Sequence, residues 1–375
     1  MAAPGDTPLA LALKARIRTG GPISVAEYMR ACLTDPEHGY YAKRPAIGAA
    51  GDFITAPEIS QIFGEIIGLW SAVVWEQMGR PAPRLVELGP GRGTLMRDVL
   101  RTTRRIAEFH AALTVDLVES NATLRAMQQD ALRDETVPIR WHDSADALTQ
   151  SAGGGGTILL ANEFLDALPV EQLVFAEGEW WVRGVTLLGT DDFAFCTMDP
   201  APQPPTLVSA SPDDGDVFET RAETAHLMRT IADRLAKAGP FAALLIDYGH
   251  DEPGIGDTLQ AVQQQKYVSL FEAPGLCDLS AHVDFAAVAA EARSAGLAVD
   301  GPVSQGEFLG ALGALERASQ LMAANPDKAA AIEAAAARLM SPNGMGSRFK
   351  AIGLRSAELP VLPGLVRLDN AGQPA

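Results

Sequence analysis

Residues 84–119 read as strand, glycine turn, helix, strand, and this unit constrains the chain's fold more than any other feature. "RLVEL" (84–88) is a strand-forming run, "GPGRG" (89–93) places three glycines in five positions, "TLMRDVLRTTRRIAEF" (94–109) has helical spacing, and "LTVDLVE" (113–119) is apolar again. Glycine belongs where the backbone turns sharply or where another group comes close to it. The rhythm continues: "ATLRAMQQDAL" (122–132) reads as a helix, "VPIRW" (137–141) as a short strand and "TILLANEF" (157–164) as a buried strand that runs out into polar residues. Strands that alternate with helices predict a parallel sheet covered on both faces.

The flanking segments are less regular. "PISVAEYMRACLTD" (22–35) reads as a helix with Ser24 as N-cap and Glu27 completing a capping box. "EISQIFGEIIGLWSAVVWEQMG" (58–79) reads as one helix with a wide apolar face. "VEQLVFAEGEWWVRGVTLLG" (170–189) reads as strand–turn–strand with Gly178 near the turn, and 199–216 as a Pro/Asp/Ser-rich loop. Residues 170–216 are therefore expected to be an insertion. The alternation resumes with the helix "ETAHLMRTIADRLAKAG", the strand "FAALLIDYG" (241–249) and the helix "VDFAAVAAEARSAG", closed by Gly296. Residues 306–340 look helical and Ala-rich, and "SRFKAIGLRS" (347–356) reads as a last strand. These boundaries predict an N-terminal helical extension and lid over 1–80. A main domain over 81–365 follows, with insertions at about 170–216 and 306–340, and then a disordered tail over 366–375.

Composition removes several functions. The chain has 375 residues, 47% of them hydrophobic, enough for a large core. Its net charge of −17 repels nucleic acid phosphates. The one dense basic stretch, "RDVLRTTRR" (97–105), reads as a solvated helix face. No stretch of 18 apolar residues is free of charge, so no membrane insertion is expected. The start has Asp6 before its apolar run and no basic n-region, unlike a secretory signal. Cys32, Cys196 and Cys277 stand far apart and read as free thiols in a reducing compartment. His250 and His282 have no metal-ligand spacing, and no metal is expected.

The glycine turn and its neighbouring acids indicate a ligand. A dinucleotide fingerprint is G-x-G-x-x-G; here Thr94 takes the sixth position and the third glycine comes one residue early, which disfavours hydride transfer. Glu119, with Ser120 beside it, ends the next strand and suits a ribose diol; Asp143 and Ser144 follow the third strand, where an adenine amino group would find an acceptor. Glu87 is a carboxylate in an apolar strand; it suits an ammonium or sulfonium and repels a diphosphate. Gly89, Gly91, Gly93, Thr94, Glu87, Glu119, Ser120, Asp143, Ser144 and Asn162 are thus the candidate cofactor residues. A ribonucleoside with a cationic appendage fits them, and S-adenosyl-L-methionine is such a ligand. "ANEFLDALPV" (161–170) lacks the Asn-Pro-Pro-aromatic run of amide methylation. Its Asn162, Glu163 and Asp166 suit a guanidinium through charge-assisted hydrogen bonds, with cap formation the alternative for Asn162 and Asp166. Asp247, in "LIDYGH" (245–250), reads either as a further wall of the acceptor pocket or as a partner of nearby backbone amides.

"GDFITAPEISQIFGE", "VELGPGRGTL", "ANEFLDALPV", "IDYGH", "DLSAHVDF" and "MGSRFKAI", in this order over residues 20–355, resemble the MidA-like family of S-adenosylmethionine-dependent methyltransferases. The resemblance implies a class I methyltransferase fold: α/β, Rossmann-like, with a seven-stranded, mostly parallel sheet. It further implies an N-terminal helical extension, inserted substrate-side segments, cofactor contacts at Gly89, Gly91, Gly93 and Glu119, and an acceptor loop at Asn162 and Glu163. For mitochondrial members it implies symmetric dimethylation of an arginine in a core subunit of respiratory complex I. A protein substrate and protein arginine methylation are therefore expected, with a non-catalytic complex I assembly factor as the alternative and a homodimer as an open possibility. Localisation is expected to be cytoplasmic in a bacterium or the mitochondrial matrix in a eukaryote. Two segments depart from the family: "LQAVQQQKY" (259–267) stands for an arginine- and histidine-rich stretch, and "FETRAE" (218–223) for a Glu-x-Ser-Pro-like step.

Overall fold

The computed structural model describes residues 6–43, 54–149, 155–189, 191–202 and 211–366. Residues 367–375 of the expected tail and much of the 42–53 and 199–216 stretches lie outside these residues. Seven strands run along the path of the central sheet: β1 (Pro83–Leu88), β2 (Thr114–Val118), β3 (Ile139–His142), β4 (Gly156–Asn162), β5 (Phe241–His250), β6 (Ala298–Ser304) and β7 (Phe349–Arg355). Their order is β3-β2-β1-β4-β5-β7-β6, and the two-residue strand Val283–Asp284 pairs with the end of β5, making eight strands among the described residues. β1 to β5 are mutually parallel, whereas β7 runs antiparallel to both β5 and β6. The expected mixed α/β architecture with a large, mostly parallel sheet is present.

Helices cover both faces, as the apolar runs of β1, β4 and β5 require. One core holds Trp70, Val99, Leu160 and Phe308, from Gln61–Gln77, Thr94–Thr103, β4 and Gln305–Ala311. The other holds Leu159, Met228, Leu245 and Val288, from β4, Ala222–Arg234, β5 and Phe285–Ser294. Because successive side chains of a strand point to opposite faces, Leu159 and Leu160 serve different cores.

Four expectations are corrected. Residues 58–79 are not one helix: Ala56–Ile59 and Gln61–Gln77 are separated by Ser60, extended at φ −157°, whose hydroxyl accepts from Ile62 N. The 94–109 helix ends at Thr103, and Ala107–Ala111 is a separate turn of helix. β6 escaped the pattern because Asp300, Gly301 and Pro302 interrupt it; it is an edge strand with an irregular register between Asp300 and Val303, where proline is tolerated. The insertion holds more sheet than a hairpin. Glu171–Ala176, Glu179–Leu188, Asp192–Pro200 and Val217–Thr220 form a five-stranded sheet with Ile23–Ser24 of the N-terminal segment. The divergent 259–267 stretch contributes Gln260–Gln263 to a three-stranded sheet. The capping box at Ser24 and Glu27 is formed as read.

One buried carboxylate ties the far side of the sheet. Asp116 on β2 is fully buried and meets Arg84 Nε at 2.5 Å, Arg140 Nε and Nη2 at 3.0 Å, and His142 Nε2 at 2.6 Å. Burial alone would raise its pKa; the His142, Arg84 and Arg140 bonds outweigh that and hold it below the usual carboxylate value. A depressed folded pKa contributes stability above the unfolded value that is lost as pH falls through the folded one. Asp116→Ala is expected to cost about 3–5 kcal/mol in urea unfolding at pH 7, because the buried Arg84 loses its carboxylate and keeps only its bond to Thr149 O. The gap between wild type and Asp116→Asn should narrow as the solution is made acidic.

Candidate active site

The parallel strands deliver the polar residues to one edge. Leu88 lies opposite Val118 and Ala161, and Ile246 opposite Asn162, so the Gly89 turn, Glu119, Asn162 and Asp247 follow one another along the carboxyl ends of β1, β2, β4 and β5. Ligands of open α/β sheets bind at this edge.

Gly89, Gly91 and Gly93 have φ of 61°, 54° and 80°, the left-handed region that favours glycine. A Cβ on Gly89 would also stand 2.7 Å from the Phe164 ring. Gln128, fully buried and not singled out in the sequence, locks the turn to the acid beyond it: its Nε2 donates to Gly91 O at 2.8 Å and to Glu119 Oε2 at 3.2 Å. Glu119 Oε1 accepts from Asn121 N at 2.8 Å, which fixes the carboxylate. Burial raises its pKa against these bonds. Ser120 is exposed beside it. Asp143 and Ser144 are exposed at the end of β3, and Asp143 pairs with Arg125.

A cleft of about 370 Å3 opens over the turn. Glu87, Gly89, Gly91, Arg92, Thr94 and Asn162 line it from the sheet edge and the glycine turn, together with Glu163, and Thr55, Pro57 and Glu58 line it from the N-terminal segment. Among the described residues, two buried acceptor atoms, Glu87 Oε2 and Asn162 Oδ1, have no hydrogen-bond partner. Burial, and then the charge of Glu119, push the Glu87 pKa up to about 8. An unpaired buried carboxylate beside a second one is stabilised by a proton or by a cation, and the open cleft gives a cation access.

Glu163 is the other anion of the cleft. Its backbone is left-handed at φ 52°, a conformation a non-glycine residue holds only at a cost of about 1–3 kcal/mol. The bond from Glu163 N to Ile246 O at 2.8 Å helps to impose it. Glu163 Oε1 accepts from Ala56 N at 2.7 Å and from Asn162 Nδ2 at 3.0 Å. Burial, opposed by the Ala56 bond and assisted by Asp166, sets its pKa at about 7. The two remaining acids sit elsewhere. Asp247 Oδ2 accepts from Phe164, Leu165 and Asp166 N at 2.7–3.2 Å, and Oδ1 from Tyr248 N at 2.8 Å. Of its two sequence readings, the partner of backbone amides is the one formed, and it shapes the 163–168 turn. Burial and the charge of Asp166 push its pKa up against those bonds. Asp166 does not line the cleft; burial raises its pKa to about 6 while the Arg221 guanidinium lowers it. The 163–168 segment forms no helix for Asn162 or Asp166 to cap.

His250 and His282 line a second cleft, of about 510 Å3, which shares no lining residue with the first. There Arg221 donates to the carbonyls of Ala281 and His282, each at 2.7 Å.

Sequence reading missed Glu58, Thr55 and Gln128. Glu58 and Thr55 stand in a stretch that reads as loop and helix start, and only the break at Ser60 turns them toward the glycine turn. For Gln128, mid-helix, no sequence signal exists.

The raised Glu87 pKa has a definite sign. A carboxyl with a raised folded pKa contributes stability that is complete below the unfolded value and is lost as pH rises through about 8. Glu87→Gln is therefore expected to raise the melting temperature of the free protein at pH 8.5 and to change it little near pH 4, read by calorimetry.

Comparison with known proteins accords with this geometry. Residues 66–303 match the profile of a family described as "Putative S-adenosyl-L-methionine-dependent methyltransferase". The mitochondrial protein arginine methyltransferase NDUFAF7 homolog of Drosophila melanogaster is 36% identical over 93% of this chain and 85% of its own length. The human protein arginine methyltransferase NDUFAF7 is 33% identical over 93% and 83%. A Burkholderia thailandensis protein, crystallised bound to S-adenosyl-homocysteine, superposes with a TM-score of 0.82 at 26% identity, covering 98% of both chains.

Proposed function

The chain belongs to this family of S-adenosyl-L-methionine-dependent methyltransferases, and from that premise we propose that it transfers a methyl group to an arginine side chain of a protein. The observation that carries the reading is the pair of orphaned buried acceptors, Glu87 Oε2 and Asn162 Oδ1, facing a cleft over a left-handed glycine turn. They fit the ammonium end of S-adenosyl-L-methionine. In this reading Gly89, Gly91, Gly93 and Thr94 form the turn beneath the cofactor, Glu119 with Ser120 takes the ribose hydroxyls, and Asp143 and Ser144 stand at the adenine end. The sheet order, with its antiparallel β7 between β5 and β6, supports a class I methyltransferase arrangement. Residues 1–80 act as extension and lid, and 170–216 and 306–340 as insertions on the main domain.

When bound, the cofactor supplies an electrophilic methyl group on sulfur. The chain's part is alignment and proton removal. Holding an acceptor nitrogen in line with the methyl replaces a bimolecular encounter. Glu163, poised near neutrality, holds the guanidinium and accepts the proton that leaves its nitrogen. Asn162 steadies Glu163, while Asp247 keeps the 163–168 turn in shape. Asp166, behind the turn, acts on Glu163 through its charge. The relatives' names support arginine as acceptor, and the family resemblance supports a subunit of respiratory complex I as the protein that carries it.

The test is transfer of labelled methyl to proteins of cells that lack this enzyme, followed by hydrolysis and separation of methylated arginines. Wild type should yield methylarginine. Glu163→Gln should lower kcat by about 100-fold or more while leaving S-adenosyl-homocysteine affinity within a few-fold. Binding of that product with no transfer to any protein would leave a non-catalytic assembly factor instead.

A further inference from the structure

The acceptor loop, read alone, offers Glu163 and Asp166 as a pair, yet the structure separates them. Asp166 is half-buried outside the cleft, and its charge acts on Arg221 and Asp247 as well as on Glu163. A second carboxylate lining the cleft is Glu58, on the short helix Ala56–Ile59 whose Ala56 N–H bonds Glu163. We propose that Glu58 and Glu163 together form the seat for the acceptor guanidinium; this rests on the arginine methyltransferase reading.

Three observations meet here. First, each carboxylate is anchored through one oxygen. Glu163 Oε1 takes the bonds from Ala56 N and Asn162 Nδ2, and Glu58 Oε1 takes that from Thr94 Oγ1. Among the described residues no hydrogen bond is recorded to Oε2 of either, so each has an acceptor oxygen left for a ligand. Second, the Glu58 side chain is held, only 16% exposed, in the wall of the cleft rather than swung into solvent. Third, its Oε2 already draws a guanidinium: Arg92 Nη1, from the glycine turn, lies 3.6 Å away on a 43% exposed side chain. That distance is too long for a hydrogen bond and leaves Arg92 displaceable by a better-placed guanidinium. Two carboxylates suit the planar fork of donors on arginine better than the compact lysine ammonium.

The seat also makes the Ala56–Ile59 segment part of substrate recognition. Its Ala56 N–H holds Glu163, and its Glu58 hydroxyl partner, Thr94, opens the helix after the glycine turn. One short helix thus spans the cofactor side and the acceptor side. In the transfer, the bond between guanidinium nitrogen and methyl carbon forms as the carbon–sulfur bond breaks. The sulfur keeps that electron pair, and the nitrogen's proton passes to Glu163. Glu58 contributes negative charge and the second acceptor.

The experiment uses the labelled-methyl assay on the proteome of cells lacking the enzyme, with initial rates taken against acceptor concentration and methylarginine as the readout. Glu58→Gln is expected to raise the acceptor KM tenfold or more and to leave the calorimetric Kd for S-adenosyl-homocysteine within twofold. Glu58→Asp should recover part of the loss, and it carries the same test should Glu58→Gln fail to fold. Thr94→Val, which removes the tether to Glu58 at a residue of the cofactor turn and is expected to weaken product binding, separates positioning from recognition. If Glu58→Gln instead weakens product binding as Thr94→Val does, Glu58 merely supports the cofactor turn and the proposal is overturned. Equal acceptor KM in wild type and Glu58→Gln also overturns it while leaving the arginine reading intact. Absence of methylarginine with wild type removes the reading itself.

Discussion

Charge burial at the carboxyl edge of the sheet governs this molecule. Removing a carboxylate from water is costly unless a partner compensates it. The chain treats its buried acids in three ways. Asp116 receives Arg84, Arg140 and His142, and Glu65 receives Arg101 at 2.8 Å and Arg317 at 2.6 Å; both are supplied with cations and hold elements together. Asp247 receives four backbone N–H groups and shapes a turn. Glu87 and Glu163 receive too little, and their pKa values rise to about 8 and about 7. Both acids line the cleft, and a cationic ligand and a cationic acceptor are what would fill their shortfall.

The rest of the fold serves that edge. Glu65 joins the helix Gln61–Gln77 to Thr94–Thr103 and to Ala314–Ala324, so the N-terminal extension is tied to the helix that follows the glycine turn. A third core, holding Leu13, Tyr28, Val185 and Leu279, joins the first two helices, the five-stranded sheet and the three-stranded sheet. These segments therefore share one hydrophobic core. The Ala56–Ile59 helix lines the cleft, with Ala56 N–H bonded to Glu163 and Glu58 bonded to Thr94.

Much of the sheet was legible in the sequence because its signal is local. β1, β2, β4 and β5 are dense apolar runs, and Gly89, Gly91 and Gly93 announce a turn that only glycine makes easily. β6 was not legible, since Gly301 and Pro302 erase the alternation that would mark it and only its pairing with β7 makes it a strand. The break at Ser60 was hidden by an apolar periodicity that runs through it. Asp192–Pro200 has no strong pattern of its own and depends on its partner Glu179–Leu188.

The candidate site divides along the same line. By themselves, the residues determined a glycine turn after a strand, acids at successive strand ends and a carboxylate, Glu87, out of place in an apolar run; these are properties of neighbours in the chain. Only the tertiary structure decided which acids share a cleft and which are already satisfied. It turned Asp247 into a scaffold, moved Asp166 behind the turn, brought Glu58 from outside the sheet domain and placed Gln128 beneath the glycines. The physical reason is that the compensation of a buried charge depends on every group within a few ångströms, and in a folded chain those groups come from distant parts of the sequence.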